Sequence, residues 1–137
     1  MPITQLSVTD ARQEQVAGAT LVDVRSTDEF SAGHPAGAIS VPLLDADEDT
    51  GQMMPNPDFV RVMKATFPPG TALLLSCRTG GRSARAAQIL EAFGFTQLTN
   101  VEGGYEAWQP SGLPTETSTP AEGDYAALLA RADAVEE

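Results

Sequence analysis

The stretch Leu73-Leu74-Leu75-Ser76-Cys77 limits what this chain can fold into more than any other. An apolar run of strand length ends on the only cysteine. Arg78, Thr79, Gly80, Gly81 and Arg82 follow. Ser83 to Phe93 then reads as a helix, with Ala86, Ala87, Ile89, Leu90 and Phe93 on one face and Gly94 as its stop. A strand that is apolar throughout needs cover on both faces, and strand–loop–helix is the unit from which parallel sheets are built.

The same alternation runs along the chain. Thr4 to Val8 reads as a short strand, and Asp10 to Ala17 as a short helix with Asp10 and Gln13 at capping-box spacing. Leu21 to Arg25 reads as a strand, Thr27 as the cap of a helix over Asp28 to Ala32, and Ala38 to Val41 as a strand stopped by Pro42. Asp58 to Thr66 reads as a helix, Thr71 to Ser76 as the most apolar strand, Thr96 to Val101 as the last strand, and Tyr105 to Gln109 as a short helix. This order predicts an α/β fold with a mainly parallel sheet and helices on both faces. Ligands in such sheets bind beyond the carboxyl ends of the strands, which is where Cys77 falls.

The length of 137 residues predicts one domain, large enough to fold without a disulfide or a metal. Residues 1–114 read as that domain and 115–123, rich in Thr, Ser, Pro and Glu, as a linker. Residues 124–137 read as an amphipathic helix or mobile tail. Tyr125, Leu128, Leu129 and Ala132 recur there at helical spacing, so docking on the domain is expected. Asp45 to Pro57 reads as a solvated acidic loop. Asp45, Asp47 and Asp49 resemble the start of a calcium loop, but Thr50 and Asn56 stand where its glycine and glutamate belong.

A net charge of -11 argues against nucleic acid and anionic membranes as partners. Met1 to Asp10 shows neither a basic segment nor an apolar signal core, and a single cysteine cannot form an internal disulfide. A soluble cytoplasmic protein is therefore expected. Against the acidic background, Arg78, Arg82 and Arg85 gather beside the thiol; Arg85, a helical turn on, reads as a solvated residue. Consecutive loop amides form an anion-binding nest, a helix start adds partial positive charge, and guanidiniums add full charges. All three favour thiolate over thiol. Gly80 and Gly81 can adopt positive φ and curl the backbone around an anion. Cys77 thus reads as a nucleophile, and Arg78, Thr79, Gly80, Gly81, Arg82 and Ser83 as its anion-binding loop.

Four blocks give the chain a family resemblance over about Thr4 to Pro114. They are Leu21-Val22-Asp23-Val24-Arg25 with Glu29-Phe30; Gly33-His34, Gly37-Ala38-Ile39 and Val41-Pro42; Cys77, Gly80, Arg82 and Ser83; and Gly103-Gly104, Trp108 and Gly112-Leu113-Pro114. In this order and spacing the chain resembles a single-domain rhodanese, a thiosulfate sulfurtransferase-like protein. Pro35 directly after His34 departs from the family pattern, in which an aliphatic residue comes first.

The resemblance implies a three-layer rhodanese-like fold and sulfur transfer through a persulfide on Cys77. A small anionic donor such as thiosulfate would load the sulfur, and cyanide, a thiol or an acceptor protein would take it. No cofactor and no metal are implied. Arg78 and Arg82 would attract the donor and stabilise departing sulfite. The loop amides would hold the outer sulfur, and Ser83 would cap the next helix and hydrogen-bond within the loop. Asp23, Arg25 and Glu29 read as structural support, with Arg25 and Glu29 spaced to pair, Asp23 bonded to nearby loop amides, and Trp108 in the core. His34 reads as a turn and packing residue, since a thiolate made by its setting needs no base.

Three rivals differ at particular residues. Cysteine phosphatases place five residues between Cys and Arg, whereas only four separate Cys77 from Arg82. A binding module that has lost its chemistry would not need Cys77. A thiol–disulfide oxidoreductase requires a second cysteine.

Overall fold

The computed structural model describes residues 3–47, 49–117 and 124–136. A five-stranded, wholly parallel sheet forms the middle layer. Its strands are β1 (Thr4–Leu6), β2 (Thr20–Asp23), β4 (Ile39–Ser40), β7 (Ala72–Ser76) and β8 (Gln97–Val101), in the order β1-β8-β7-β2-β4. β7 thus lies between β8 and β2, and its last residue Ser76 is in register with Asp23.

Side chains alternate across the strands, so the apolar run of β7 feeds two cores. Leu73 and Leu75 join Val22 and Leu98 on one face, beneath α3 (Phe59–Thr66), α4 (Gly81–Ala92) and α6 (Tyr125–Glu136). Leu74 joins Leu21 and Val101 on the other, beneath α1 (Val8–Val16), α2 (Thr27–Ala32) and α5 (Gly104–Trp108). This is the expected α/β sandwich of three layers. Trp108 is fully buried in the second core, with its indole N–H donating to Pro114 O at 2.8 Å.

Several local readings shift by a residue or two. Ser7, not Asp10, caps α1 and accepts from the Asp10 amide. Ser26, not Thr27, caps α2 in a complete capping box with Glu29. The acidic loop is a hairpin of β5 (Leu44–Ala46) and β6 (Met53–Pro55). Two of its carboxylates hold protein groups. Asp45 accepts from the amide and hydroxyl of Thr27, and Asp47 from the Asp49 amide and the Thr50 hydroxyl.

Thr115–Glu116, read as the start of a linker, forms β9 and pairs antiparallel with β3 (His34–Pro35). The exposed Pro/Thr/Ser composition signals a loop but carries no information about a two-residue pairing with a distant strand. The rest of the linker reading, residues 118–123, falls outside the described residues. Beyond it α6 lies on α3. Leu128 and Ala132 are buried, the Asn56 amide donates to Tyr125 Oη at 2.9 Å, and Arg61 pairs with Asp133 at 2.7 Å.

Candidate active site

Cys77 follows β7 directly, and its side chain is buried. Its Sγ accepts the Gly80 N–H at 3.0 Å and lies 3.4 Å from Ser83 Oγ. Gly80 caps α4 at φ +112°, a left-handed conformation that favours glycine, so the loop reverses within three residues and the helix starts beside the sulfur. α4 therefore begins at Gly81, two residues earlier than the sequence suggests. Ser83 is not its cap but its third residue, turned inward toward Cys77, Gly80 O (3.2 Å) and Asn100 Oδ1 (2.6 Å).

The loop is gripped from its other side by α5. The amide of Tyr105 donates to Cys77 O at 2.8 Å and that of Glu106 to Arg78 O at 3.0 Å. These are amides that a helix start leaves without intrahelical partners. Gly104, at φ +52°, lets the two backbones meet, because a Cβ there would collide with the Cys77 carbonyl oxygen. The Gly103-Gly104 pair, a family mark in the sequence, thus has a physical reason.

Cys77 ionises below the ordinary thiol value of 9.0. Burial is the largest single influence and opposes ionisation. The Ser83 hydroxyl, then the amides of Ser83, Gly80 and Thr79, outweigh it. Hydrogen bonds rather than the arginines therefore lead in stabilising the thiolate.

Both loop arginines have carboxylate neighbours. Arg82 makes a bidentate pair with Glu29, 2.7 Å to Oε1 and 3.0 Å to Oε2. That guanidinium, aided by Ser26, holds the Glu29 carboxyl at about 2 against the pull of partial burial. Arg78 is largely exposed, with Nε 4.0 Å from Glu106. Beside Arg78 opens a cleft of about 300 Å³ lined by Arg25, Glu29, Arg78, Tyr105 and Glu106 among others. A larger cavity lies at the opposite, amino end of the strands.

The expected Arg25–Glu29 pair does not form. Arg25 bonds Asp23 instead, with Nη2 at 2.7 Å from Oδ2, and reaches Gly33 O at 2.7 Å beneath the Tyr105 ring. Residues four apart meet only when both lie on a helix, and Arg25 precedes the cap of α2. Asp23 also accepts the Arg25 amide at 3.0 Å. His34 is buried and stacked on Phe30, donates Nδ1–H to Phe30 O at 2.7 Å, and has Nε2 3.4 Å from Glu116 Oε1. It is held away from the thiol loop, on the β3–β9 pair. The site residue the sequence reading passed over is Asn100. Its signal was a polar side chain in an otherwise strand-forming stretch, where asparagine is disfavoured.

The site is thus a lone cysteine at the carboxyl end of a central parallel strand, wrapped by the amides of a loop that opens a helix. The chain belongs to the rhodanese-like domain family, whose profile its residues 7–111 match. It is 39% identical over 113 residues to "Thiosulfate sulfurtransferase 16, chloroplastic" of Arabidopsis thaliana, covering 82% of this chain and 92% of that one. It is 38% identical to "Rhodanese-like domain-containing protein 15, chloroplastic" of the same plant, again over 82% of this chain but only 61% of the relative. The crystal structure of a rhodanese-like domain protein from Staphylococcus aureus superposes with a TM-score of 0.65 at 24% identity, covering 85% of this chain and all of that one. The cytoplasmic expectation is corrected by these relatives, both of which are named chloroplastic. A lone cysteine and an unremarkable start are compatible with several reducing compartments and do not choose among them. Among the described residues no helix is long and apolar enough to cross a membrane.

Proposed function

We propose that the protein is a sulfurtransferase that carries sulfane sulfur on Cys77, with thiosulfate or a similar anion as donor. The observation that carries this reading is the Cys77 sulfur itself, which is buried, favoured as thiolate, and met by the Gly80 amide at 3.0 Å. Relatives named thiosulfate sulfurtransferase support sulfur transfer as the class of reaction.

In the first half-reaction the Cys77 thiolate attacks the outer sulfur of thiosulfate. A new S–S bond forms, the sulfur–sulfur bond of the donor breaks, and sulfite leaves with the electron pair. In the second, an acceptor such as cyanide or a thiol attacks the outer sulfur of the persulfide and the Cys77 thiolate is released. The loop amides would face negative charge on the outer sulfur, the same electrostatic role that oxyanion-binding amides play elsewhere. Exposed Arg78 would meet the incoming anion, and Arg82 would do so at the expense of its pair with Glu29. No side chain need act as general base, because the loop's hydrogen bonds themselves favour loss of the thiol proton.

Thiocyanate release from thiosulfate and cyanide tests the reading. Wild type should turn over and Cys77→Ser should not, while both unfold at similar temperatures. Turnover by the serine variant would remove Cys77 from the mechanism.

A further inference from the structure

Ser83 Oγ sits within reach of three acceptors but owns one proton. Asn100 Oδ1 is at 2.6 Å, Gly80 O at 3.2 Å and Cys77 Sγ at 3.4 Å. Ser83 and Asn100 are buried, at 0% and 5% exposure, so water is not at hand to supply a missing donor. In the arrangement seen, the shortest contact takes the serine proton toward Asn100, away from the sulfur. The opposite end of the Asn100 amide, Nδ2, donates to Gln5 Oε1 at 2.9 Å. Gln5 is the direct cross-strand partner of Asn100 in the β1–β8 register, and its side chain is exposed.

A charged sulfur needs the reverse polarity. A primary amide is suited to supply it, because a half-turn exchanges its acceptor and its donor without a change of shape. With Cys77 protonated, the chain runs S–H to Ser83 Oγ, Ser83 O–H to Asn100 Oδ1, and Asn100 Nδ2–H to Gln5. With the amide turned, Asn100 Nδ2–H donates to Ser83 Oγ and Ser83 O–H donates to the sulfur. Gln5, free at the surface, turns its own amide to match. An aspartate or a leucine of similar size at position 100 could hold only one polarity, or none.

We propose that Asn100, backed by Gln5, is a positioning residue that turns its amide to aim the Ser83 hydroxyl at the sulfur when the sulfur carries charge and away from it when it does not. It touches no reacting atom and acts through Ser83. The proposal concerns the thiol's ionisation and stands whether or not thiosulfate is the donor; only its catalytic meaning rests on the sulfurtransferase reading.

The test is the pH dependence of Cys77 alkylation by iodoacetamide, measured in full-length protein for wild type, Asn100→Asp, Ser83→Ala and the double variant. An aspartate locks the acceptor toward Ser83 and should raise the midpoint by about one pH unit or more. In the Ser83→Ala background the same Asn100→Asp change should move the midpoint by well under half of that, since the coupling runs through the hydroxyl. An equal shift in both backgrounds would reduce Asn100 to a bare charge effect and overturn the relay. No shift in either would overturn it too. If Asn100→Asp does not fold, Gln5→Glu substitutes for it. This exposed acceptor pins Asn100 in the orientation seen, and should raise the midpoint in wild type but not in Ser83→Ala. Alkylation reads ionisation alone. A failed relay with intact thiocyanate release therefore leaves the sulfurtransferase reading standing, and a normal relay without turnover leaves the relay standing.

Discussion

The loops that follow β2 and β7 leave adjacent strands of the sheet, yet one is closed by an ion pair and the other turns backbone amides toward a thiol. After β2, Arg25 folds back onto Asp23, Gly33 O and the Tyr105 ring, and both charged side chains are almost fully buried. After β7, the amides of Ser83, Gly80 and Thr79 face the thiol. The Gly80 N–H meets the Cys77 sulfur at 3.0 Å, and the Arg82 guanidinium is paired at a partly exposed position with Glu29. The first loop contains its own counter-ion. The second offers backbone N–H groups and leaves the sulfur to supply the charge. Neighbouring strand ends thus differ in what they present, one a closed ion pair and the other a thiol ringed by amides.

The contrast can be broken from either side. Asp23→Asn leaves a buried guanidinium without its counter-ion and should cost about 3–5 kcal/mol in denaturant unfolding. A loss below about 1 kcal/mol would mean that the first loop is not the closed frame described. Arg82→Ala should lower the rate with thiosulfate by about 10²–10³-fold if its charge reaches the transition state. Unchanged rates would leave the loop amides and Arg78 as the whole anion site. Gly104→Ala pushes a methyl group into the Cys77 carbonyl at a left-handed position, and a cost of about 1–3 kcal/mol is expected from strain alone. Its sharper consequence is in the alkylation midpoint of Cys77, which should shift because α5 no longer grips the loop. A stable variant with an unmoved midpoint would show that α5 does not position the thiol.

Glu29→Gln should have the smallest effect, within about 1 kcal/mol, because the Arg82 pair is partly solvated. Its pH dependence sharpens the comparison. The folded carboxyl titrates at about 2 against an ordinary 4.5, so its contribution is full above that ordinary value and is lost as pH falls through the folded one. The stability gap between wild type and Glu29→Gln should be flat above about pH 5 and close in the acid limb. A gap that persists at the lowest pH would assign the effect to packing.

The sheet, the three layers and the placement of the thiol were legible because they rest on apolar alternation and on one strand–loop–helix unit. Leu73 to Ser76 can be little else than a covered strand, and Gly80 beside Cys77 marks the reversal. What was hidden depended on distance in space. Glu29 pairs with Arg82, 53 positions away, rather than with the local Arg25. Asn100 meets Ser83 only because β8 and α4 share a face of the sheet. β9 exists only by pairing with β3. Ser83 looked like a helix cap because serine commonly is one, and the left-handed Gly80 pre-empted it by starting the helix early.

Intact-protein mass after incubation with thiosulfate, for wild type and Cys77→Ser, decides whether sulfur travels on Cys77. Wild type should gain one sulfur atom and lose it as thiocyanate when cyanide is added, while the serine variant stays unchanged. Sulfur retained on the serine variant, or wild type that gains none from thiosulfate, would contradict the account.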